Sequence, residues 1–359
     1  MPNQSPKTEL ETMVSEARRL VSSTYTLPTT PRFLISRTDN LGDVILTLPL
    51  CGLIKQIWPD AHIGFVGKPY TQPILEACRW VDQFWDRAQL VDGDQAWQAA
   101  QYDVAIFVFP DREVAKAVKQ KGVKFRVGTS HRWWHWLTCN IRPNVGRKSS
   151  DLHEAQLNVA LLGPFFSAPV VPSTKSLGLL FGLAPVAEAL QSLPNKLPEL
   201  QSHYVVLHPK SAGSAREWPL AEYAALARRY VADGLQVVVT GTEKDGTKMR
   251  TESTDLFDQT GVIDATGRLS LAELIALLAK ADQVVACSTG PLHIASAMGV
   301  PVVGIYPPIR PMHPGRWAPI GPKARVLVAD KSCEDCRKTQ NCVCIQQIRV
   351  PQELLQLGQ

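Results

Sequence analysis

Apolar and polar segments alternate along the first half of the chain in a way that predicts strands followed by helices. The apolar segments with the length of buried strands are 33–36, 62–67, 103–109 and 125–128, and the segments with helical spacing are 44–58, 69–78, 95–101, 112–121 and 153–162. Pro49 lies inside the first helical segment, so we expect a kink or a broken turn there. Buried strands that alternate with helices are typical of a parallel sheet covered on both faces.

The second half of the chain repeats this pattern. Strands are predicted at 204–207, 236–240, 261–264, 283–286 and 301–305, with helices at 220–233, 270–280 and 291–298. Between the halves, six prolines interrupt the periodicity and leave room only for a short helix at 185–193. The prediction is an α/β protein of two Rossmann-like, doubly wound parallel sheets facing a central cleft, with ligands outside the carboxyl ends of the strands.

These patterns predict five segments. They are an appendage with one amphipathic helix (1–31), an N-terminal Rossmann-like domain (32–165), a proline-rich linker (166–202), a C-terminal Rossmann-like domain (203–345) and a C-terminal helix able to return to the N-terminal domain (346–359). For the helix of the appendage, packing on the body is favoured over contact with a membrane.

Composition narrows the class of protein. The chain has 359 residues, of which 45% are hydrophobic and 20% charged, as in globular proteins with a substantial core. No apolar run approaches the roughly 20 residues that span a bilayer, and the polar N-terminus lacks the apolar core of a signal peptide. We therefore expect a cytoplasmic protein.

Charge is spread unevenly. The net charge is +5, yet ten basic residues and a single acid, Glu113, lie between Arg112 and Lys148. The same segment contains Trp133, Trp134 and Trp136. This combination predicts a surface for an anionic partner, which is a phosphorylated glycolipid, an anionic membrane face or nucleic acid. The alternative is a solvated helix face beside a tryptophan-rich corner of the core.

Four of the eight cysteines lie close together near the C-terminus. Cys333, Cys336, Cys342 and Cys344 are a candidate set of ligands for a structural zinc ion. The single residue between the last two is unusual for a zinc knuckle, so reduced thiols that anchor the tail are the alternative.

The first candidate site follows the first predicted strand. Asn40 and Gly42 lie in a turn that leads to Asp43 at the start of a helix. Asp43 is a candidate general base, because a positioned carboxylate accelerates proton transfer by about 10²–10⁴. The alternative for Asp43 is a helix N-cap.

Two further candidates lie after strands of the second half. Lys210, Ser211 and Arg216 belong to a loop suited to phosphate oxygens, and the alternative is an ordinary surface loop. Glu243 follows a strand end, where an acid accepts hydrogen bonds from ribose hydroxyls. A helix-start carboxylate is the competing interpretation of Glu243.

The turn Ser288–Thr289–Gly290 precedes a short helix that contains His293. Backbone amides at such a helix N-terminus favour an anion, and the alternative is an ordinary strand–helix turn. The chain has no Gly-x-Gly-x-x-Gly after a first strand, no Walker loop and no Asp-x-Asp motif. A nicotinamide enzyme is therefore not expected.

Together these pieces resemble glycosyltransferase family 9, the bacterial ADP-heptose:lipopolysaccharide heptosyltransferases. The matching pieces occur in family order and are 37–49, His208-Pro209, Arg216-Glu217-Trp218-Pro219, Gly241-Thr242-Glu243 and 288–299. The resemblance implies a GT-B fold with the active site between two Rossmann-like domains, of which 32–165 is the acceptor domain and 203–345 the nucleotide-sugar domain. It also implies inverting, metal-independent transfer from a nucleotide-sugar, with no cofactor required.

The resemblance also assigns roles. Asp43 matches the catalytic base, Glu243 the ribose contact, and Ser288, Thr289 and Gly290 the diphosphate site. Arg216 stands where the family usually carries lysine, and Ser288 where heptosyltransferases usually carry aspartate. These departures concern which sugar is transferred, and they do not change the prediction that the donor is a nucleotide-sugar.

The expected function is transfer of heptose or a related sugar to a lipopolysaccharide-core or other cell-surface glycan. Its expected partners are a nucleotide-sugar and an anionic lipid-linked saccharide, and no nucleic acid. We expect a monomer that is peripheral on the inner face of the cytoplasmic membrane. Asn40, Gly42, Arg132 and Trp133 are the expected acceptor-side residues. The alternatives are a nucleotide-sugar epimerase or hydrolase of GT-B fold and a non-catalytic sugar-nucleotide-binding protein.

Overall fold

The computed structural model of the chain describes residues 5–148, 150–309, 312–329 and 343–351. The chain forms two compact units, Met1–Leu183 and Ala184–Gln359. The division lies within the segment predicted as a linker. None of the described helices is both long enough and apolar enough to cross a membrane.

The first unit is built on a five-stranded parallel sheet in the order β3-β2-β1-β4-β5. The strands are β1 (Arg32–Ser36), β2 (His62–Gly67), β3 (Gln83–Asp86), β4 (Val104–Phe107) and β5 (Phe125–Val127). β1 is central, with Ile35 in register with Phe65 of β2 and Ile106 of β4. The predicted parallel sheet is therefore confirmed, and β3 is a strand that the apolar pattern missed.

Ten α-helices accompany this sheet in the described part of the first unit. They are α1 (Pro6–Arg19), α2 (Leu41–Ile45), α3 (Leu48–Ile57), α4 (Gln72–Glu76), α5 (Arg87–Asp92), α6 (Gln95–Ala99), α7 (Arg112–Gln120), α8 (His135–Thr138), α9 (Glu154–Val159) and α10 (Thr174–Leu177). Short 3₁₀ turns lie at Ser23–Tyr25, Pro69–Thr71 and Ala160–Phe165.

The break expected near Pro49 is present. α2 ends at Ile45 and α3 begins at Leu48, so that Pro49 lies in the first turn of α3, where its missing N–H costs no hydrogen bond. The N-terminal helix α1 buries Leu10, Val14 and Ala17 and contacts α3 and α10 of the same unit.

The second unit contains a six-stranded parallel sheet in the order β11-β10-β9-β6-β7-β8. Its strands are β6 (Tyr204–His208), β7 (Gln236–Val239), β8 (Val262–Asp264), β9 (Gln283–Cys287), β10 (Val302–Tyr306) and β11 (Ala324–Val328). The described helices are α11 (Ala187–Lys196), α12 (Leu220–Ala232), α13 (Glu243–Glu252), α14 (Leu271–Lys280), α15 (Gly290–Ala297), α16 (Pro314–Trp317) and α17 (Val343–Gln346), with a 3₁₀ turn at Thr254–Leu256. The edge strand β11 was not predicted.

Segments predicted as connectors pack on individual units. Before the division, Trp80 Nε1 donates a 2.7 Å hydrogen bond to the carbonyl of Leu180 within the first unit. After it, α11 contacts α14 of the second unit. At the C-terminal end, Ile348 and Val350 lie in the hydrophobic core of the second unit. The prediction of a helix from residue 346 is wrong for the described part: Gln346 ends α17, and 347–351 are not helical. Residues 352–359 lie outside the described residues.

Candidate active site

In the first unit, the candidate site lies where the direction of strand order reverses. The chain places β2 and β3 on one side of β1, and β4 and β5 on the other, so the reversal falls between β1 and β4. The amides of Val108 and Phe109 both donate to the carbonyl of Ser36, which joins the ends of the two strands. Open parallel sheets bind ligands outside the carboxyl ends of strands at such a reversal. Residues 37–43 leave β1 at this place.

Asp43 is the third residue of α2, and Asn40 occupies the N-cap position without a side-chain capping hydrogen bond. The N-cap interpretation of Asp43 is therefore wrong. The carboxylate lies in the first helical turn, where the helix dipole favours negative charge. Its side chain is 13% exposed and forms an ion pair with Arg37. A mostly buried carboxylate with a small exposed part is available to a ligand.

Arg37 connects Asp43 to a buried polar network. Its guanidinium lies 2.7 Å from Asp39 Oδ1, 3.0 Å from Glu154 Oε1 and 3.3 Å from Asn158 Oδ1, in addition to Asp43. The side chain of Arg37 is 4% exposed and that of Glu154 is fully buried. A planar guanidinium with several fixed partners has little freedom to rotate, so it holds the Asp43 carboxylate in place.

A second arginine joins this network. Arg147 Nε lies 3.0 Å from Glu154 Oε1, and its Nη2 donates to Asn158 Oδ1 at 2.9 Å. Among the described residues, three carboxylates thus face two guanidinium groups. Carboxylates that lie this close to one another disfavour each other's ionisation.

The environment raises the pKa of Asp43 to about 6. Burial is the largest cause, and the carboxylates of Asp39 and Glu154 add to it, while Arg37 acts in the opposite direction. Burial also raises the pKa of Asp39. A carboxylate with a pKa near 6 is largely ionised at neutral pH and is a stronger base than an ordinary aspartate.

Asn158 joins the network to the break between α2 and α3. Its amide donates to the carbonyl of Leu46 at 3.0 Å and to Thr47 Oγ1 at 3.3 Å, and Thr47 Oγ1 donates to the carbonyl of Asp43 at 2.9 Å. The sequence interpretation missed Glu154 and Asn158. Their signal was a spacing of four residues on one predicted helix, which places two polar side chains on the same face.

The acceptor-side residues fall into two groups. Asn40 and Gly42 lie beside Asp43 at the start of α2, whereas Arg132 and Trp133 follow β5, two strands from β1 in the sheet. Trp133 is 60% exposed and Trp136 is 61% exposed. The interpretation that these two tryptophans belong to a corner of the core is therefore wrong.

The second unit has its own reversal, between β6 and β9. The loop 209–219 leaves β6 and the turn 288–290 leaves β9, and the two strands pair with His208 opposite Ala286. The amide of Trp218 contacts Cys287 Sγ at 3.3 Å, which joins the end of the loop to the end of β9. Two of the predicted donor-binding segments are thus neighbours at one sheet edge.

Carboxylates organise the loop after β6. Lys210 Nζ lies 2.8 Å from Glu252 and 3.5 Å from Glu217, and the amide and hydroxyl of Ser211 both donate to Glu217 Oε1 at 2.9 Å. Lys210 and Ser211 are buried. Both residues therefore shape the loop through carboxylate contacts, and Arg216 lines the adjacent cavity of about 640 Å³.

The turn after β9 presents a buried polar atom at a helix N-terminus. Thr289 is the N-cap of α15, but its side chain makes no capping hydrogen bond. Its hydroxyl is buried and has no hydrogen-bond partner among the described residues. Gly290 begins the helix, Ser288 precedes the cap and His293 is buried within α15. A buried hydroxyl beside the first-turn amide of Gly290 suits the oxygens of an anion.

Glu243 is the first residue of α13. Thr242, the N-cap residue, and Asp245 form a capping box at the start of this helix. The side chain of Glu243 is 71% exposed, and its Oε1 lies 3.1 Å from Arg250. Glu243 is thus a helix-start carboxylate, as one interpretation proposed. It also follows β7, the strand next to β6, so it lies at the same sheet edge as the loop 209–219.

The candidate zinc ligands Cys333, Cys336 and Cys342 lie outside the described residues. Cys344 is described and is buried in the hydrophobic core of the second unit. Within the described ranges, no group of three or more histidine, cysteine or acidic side chains is arranged to bind a metal ion.

Comparisons with known proteins agree with this architecture. The sequence model of glycosyltransferase family 9 (heptosyltransferase) matches residues 95–344. A putative glycosyltransferase of Haemophilus influenzae is 29% identical over an alignment of 300 residues that covers 80% of this chain and 86% of the relative. These matches cover most of the chain.

Two solved structures share the fold. The glycosyl transferase family 9 from Veillonella parvula superposes with a TM-score of 0.76 at 20% identity and covers 92% of this chain and 97% of its own. The E. coli ADP-heptose lps heptosyltransferase II superposes with a TM-score of 0.67 at 19% identity and covers 83% of this chain and 90% of its own. The chain therefore belongs to glycosyltransferase family 9 and is a heptosyltransferase-like glycosyltransferase with the GT-B fold.

Proposed function

We propose that this enzyme is an inverting, metal-independent transferase that moves heptose or a related sugar from a nucleotide-sugar to a lipopolysaccharide-core or other cell-surface glycan. The observation that carries the proposal is Asp43, an accessible carboxylate held by Arg37 at the sheet reversal of the first unit, with a pKa near 6. The base accepts the proton of an acceptor hydroxyl as that hydroxyl attacks the anomeric carbon from the face opposite the leaving nucleotide.

The second unit supports the donor half of this proposal. Arg216 offers a fixed positive charge, and Thr289 with the first-turn amide of Gly290 offers hydrogen bonds to diphosphate oxygens. Preorganised donors of this kind stabilise the negative charge that develops on a departing diphosphate without a metal ion. Glu243, at the neighbouring strand end, accepts hydrogen bonds from the ribose hydroxyls. His293 lies on the helix behind the turn, and Lys210 and Ser211 maintain the loop that carries Arg216.

The nucleotide is proposed to be adenosine diphosphate, because the related E. coli enzyme is named for ADP-heptose. The acceptor is an anionic lipid-linked saccharide that contacts Asn40 and Gly42 through its sugar and Arg132 and Trp133 through its lipid end. The enzyme acts as a peripheral protein at the cytoplasmic face of the membrane.

Replacement of Asp43 by asparagine tests the proposal. Asp43→Asn removes the base while it preserves the size of the side chain, so turnover falls by about 10² or more. Donor affinity, measured by calorimetry, stays at the wild-type value because the donor residues belong to the other unit. Activity persists in EDTA.

Asp92→Asn is the matched control, since Asp92 is an exposed aspartate of the same unit. It retains full turnover. Wild-type turnover in Asp43→Asn would exclude the base role, and formation of free sugar or an epimer without acceptor would favour a hydrolase or epimerase.

A further inference from the structure

The turn around α8 directs its apolar side chains to solvent. Trp133, Trp136 and Leu137 are 60%, 61% and 63% exposed. Their spacing of three and four residues places them on one face of the turn, which we call the tryptophan face. Large apolar side chains on protein surfaces are ordinarily scattered singly, and a contiguous exposed group marks an interaction site.

The opposite face of the same turn is firmly packed. His135 Nδ1 lies 2.9 Å from the carbonyl of Thr129, and its ring contacts Phe107 with 6.2 Å between the ring centroids. Cys139, directly after α8, belongs to a hydrophobic core cluster of the first unit. The buried face therefore fixes the turn in one orientation, with the tryptophan face outward.

Basic side chains surround the tryptophan face. The guanidinium of Arg112 lies 5.1 Å from the ring centroid of Trp133, and that of Arg142 lies 4.4 Å from the ring centroid of Trp136. Lys119 Nζ donates a 2.8 Å hydrogen bond to the carbonyl of Leu137. The sequence contains no acid from residue 114 to residue 150. A guanidinium thus lies beside each of the two exposed tryptophan rings, and an ammonium group is bound to the backbone at Leu137.

We infer that the tryptophan face binds the surface of an anionic phospholipid bilayer. Trp133, Trp136 and Leu137 enter the boundary between headgroups and acyl chains, while the surrounding basic groups contact lipid phosphates. Tryptophan favours this boundary because its ring is apolar and its N–H is polar. Basic residues beside an inserted apolar group add electrostatic attraction to acidic lipids.

A bilayer fits this face better than a nucleic acid does. Nucleic acids bind through phosphate contacts and through bases stacked on aromatic rings, and Leu137 provides neither. A bilayer uses all three exposed side chains and the charges around them. This inference deepens the proposed function, because a lipid-linked acceptor places the reaction at a membrane. It rests on the proposed function only for the reason that the enzyme binds a membrane.

The test measures binding of the full-length protein to vesicles by cosedimentation. We expect binding to vesicles of phosphatidylethanolamine and phosphatidylglycerol, weak binding to phosphatidylcholine, and a decrease with salt. Trp136→Ser/Leu137→Ser lowers the partition coefficient by about a hundredfold, because burial of each of the two large apolar side chains contributes a factor of about ten. Acyl chains that carry bromine quench tryptophan fluorescence in the wild type and quench it less in this variant.

Matched variants separate insertion from general effects. Leu152→Ser/Leu179→Ser removes two other exposed leucines of the same unit and retains wild-type partitioning. Arg112→Gln/Lys119→Gln/Arg142→Gln weakens binding by about fivefold for each charge near the surface. The control variant Arg228→Gln/Lys280→Gln/Lys323→Gln removes three exposed charges of the second unit. It weakens vesicle binding less than the variant of the tryptophan face does.

Three results would overturn the inference. The first is that the wild type does not bind anionic vesicles. The second is that the tryptophan-face variant and the leucine control variant lose vesicle binding equally. The third is that the wild type binds duplex DNA more tightly than vesicles of equal phosphate content and that substitution of Leu137 does not change DNA binding. Turnover of the wild type on a deacylated acceptor in solution tests the proposed function without a membrane. The membrane inference can therefore be refuted by the vesicle experiment while the proposed transferase activity is upheld by the turnover experiment, and the reverse.

Discussion

At the scale of single residues, the charge around Asp43 determines when it can act as a base. Burial and two neighbouring carboxylates raise its pKa to about 6. The base must be ionised to accept a proton, so we expect kcat/KM to increase with pH through about pH 6 and to level off above it. A pH–rate profile of the wild type, recorded under conditions where donor and acceptor are stable, measures this limb.

Glu154 allows the origin of this limb to be tested. Its buried carboxylate contributes to the raised pKa of Asp43. Glu154→Gln keeps an acceptor for the arginines but removes the charge, so the acidic limb of the profile moves to lower pH. Glu76→Gln, an exposed change in the same unit, leaves the limb in place. An unmoved limb in Glu154→Gln would show that Glu154 does not act on the base.

Thr289 provides a residue-scale test of the donor site. Its buried hydroxyl has no hydrogen-bond partner among the described residues, so Thr289→Val removes no protein hydrogen bond and preserves the thermal midpoint. If the hydroxyl binds the donor diphosphate, its loss weakens donor affinity by about 5- to 30-fold. Thr289→Ser is the control and retains affinity. Lower stability together with unchanged affinity would assign Thr289 a structural role.

At the scale of elements, the break between α2 and α3 positions the base. Pro49 explains why the helix breaks, but the hydrogen bonds of Asn158 determine the geometry of the broken turn. Asn158→Ala leaves the buried carbonyl of Leu46 without this donor, so the free energy of unfolding decreases by about 1–3 kcal/mol. Urea denaturation measures the loss. Asn195→Ala, an exposed change in α11, costs less than about 0.5 kcal/mol.

The strands that sequence patterns missed are edge strands. β3 has one buried residue among four, and β11 has none among five. An edge strand pairs on one side only, so it lacks the continuous apolar run by which a central strand is identified. The central strands, such as β1 and β9, were predicted because they are buried on both faces.

At the scale of the whole molecule, the proposed function assigns donor and acceptor binding to different units. A panel of ADP-, UDP-, GDP- and CDP-sugars in a thermal-shift assay tests the donor assignment. A donor at 100 times its dissociation constant adds about 2.7 kcal/mol of stability, and we expect the ADP-sugar to give the largest shift. Arg216→Ala abolishes most of that shift. An equal shift in Arg216→Ala would exclude contact between Arg216 and the diphosphate.

The sequence by itself determined the alternation of strands and helices, the division into two halves, the break at Pro49 and the motifs of the family. These features are local, because each depends on periodicity or on residues close together in the chain. Tertiary structure alone decided the surroundings of Asp43. Arg37 meets Glu154 and Asn158 across separations of 117 and 121 residues, and these contacts exist only where α9 packs on α3. It also decided the exposure of Trp133 and Trp136, since periodicity shows that a turn has two faces and packing selects the one that is buried.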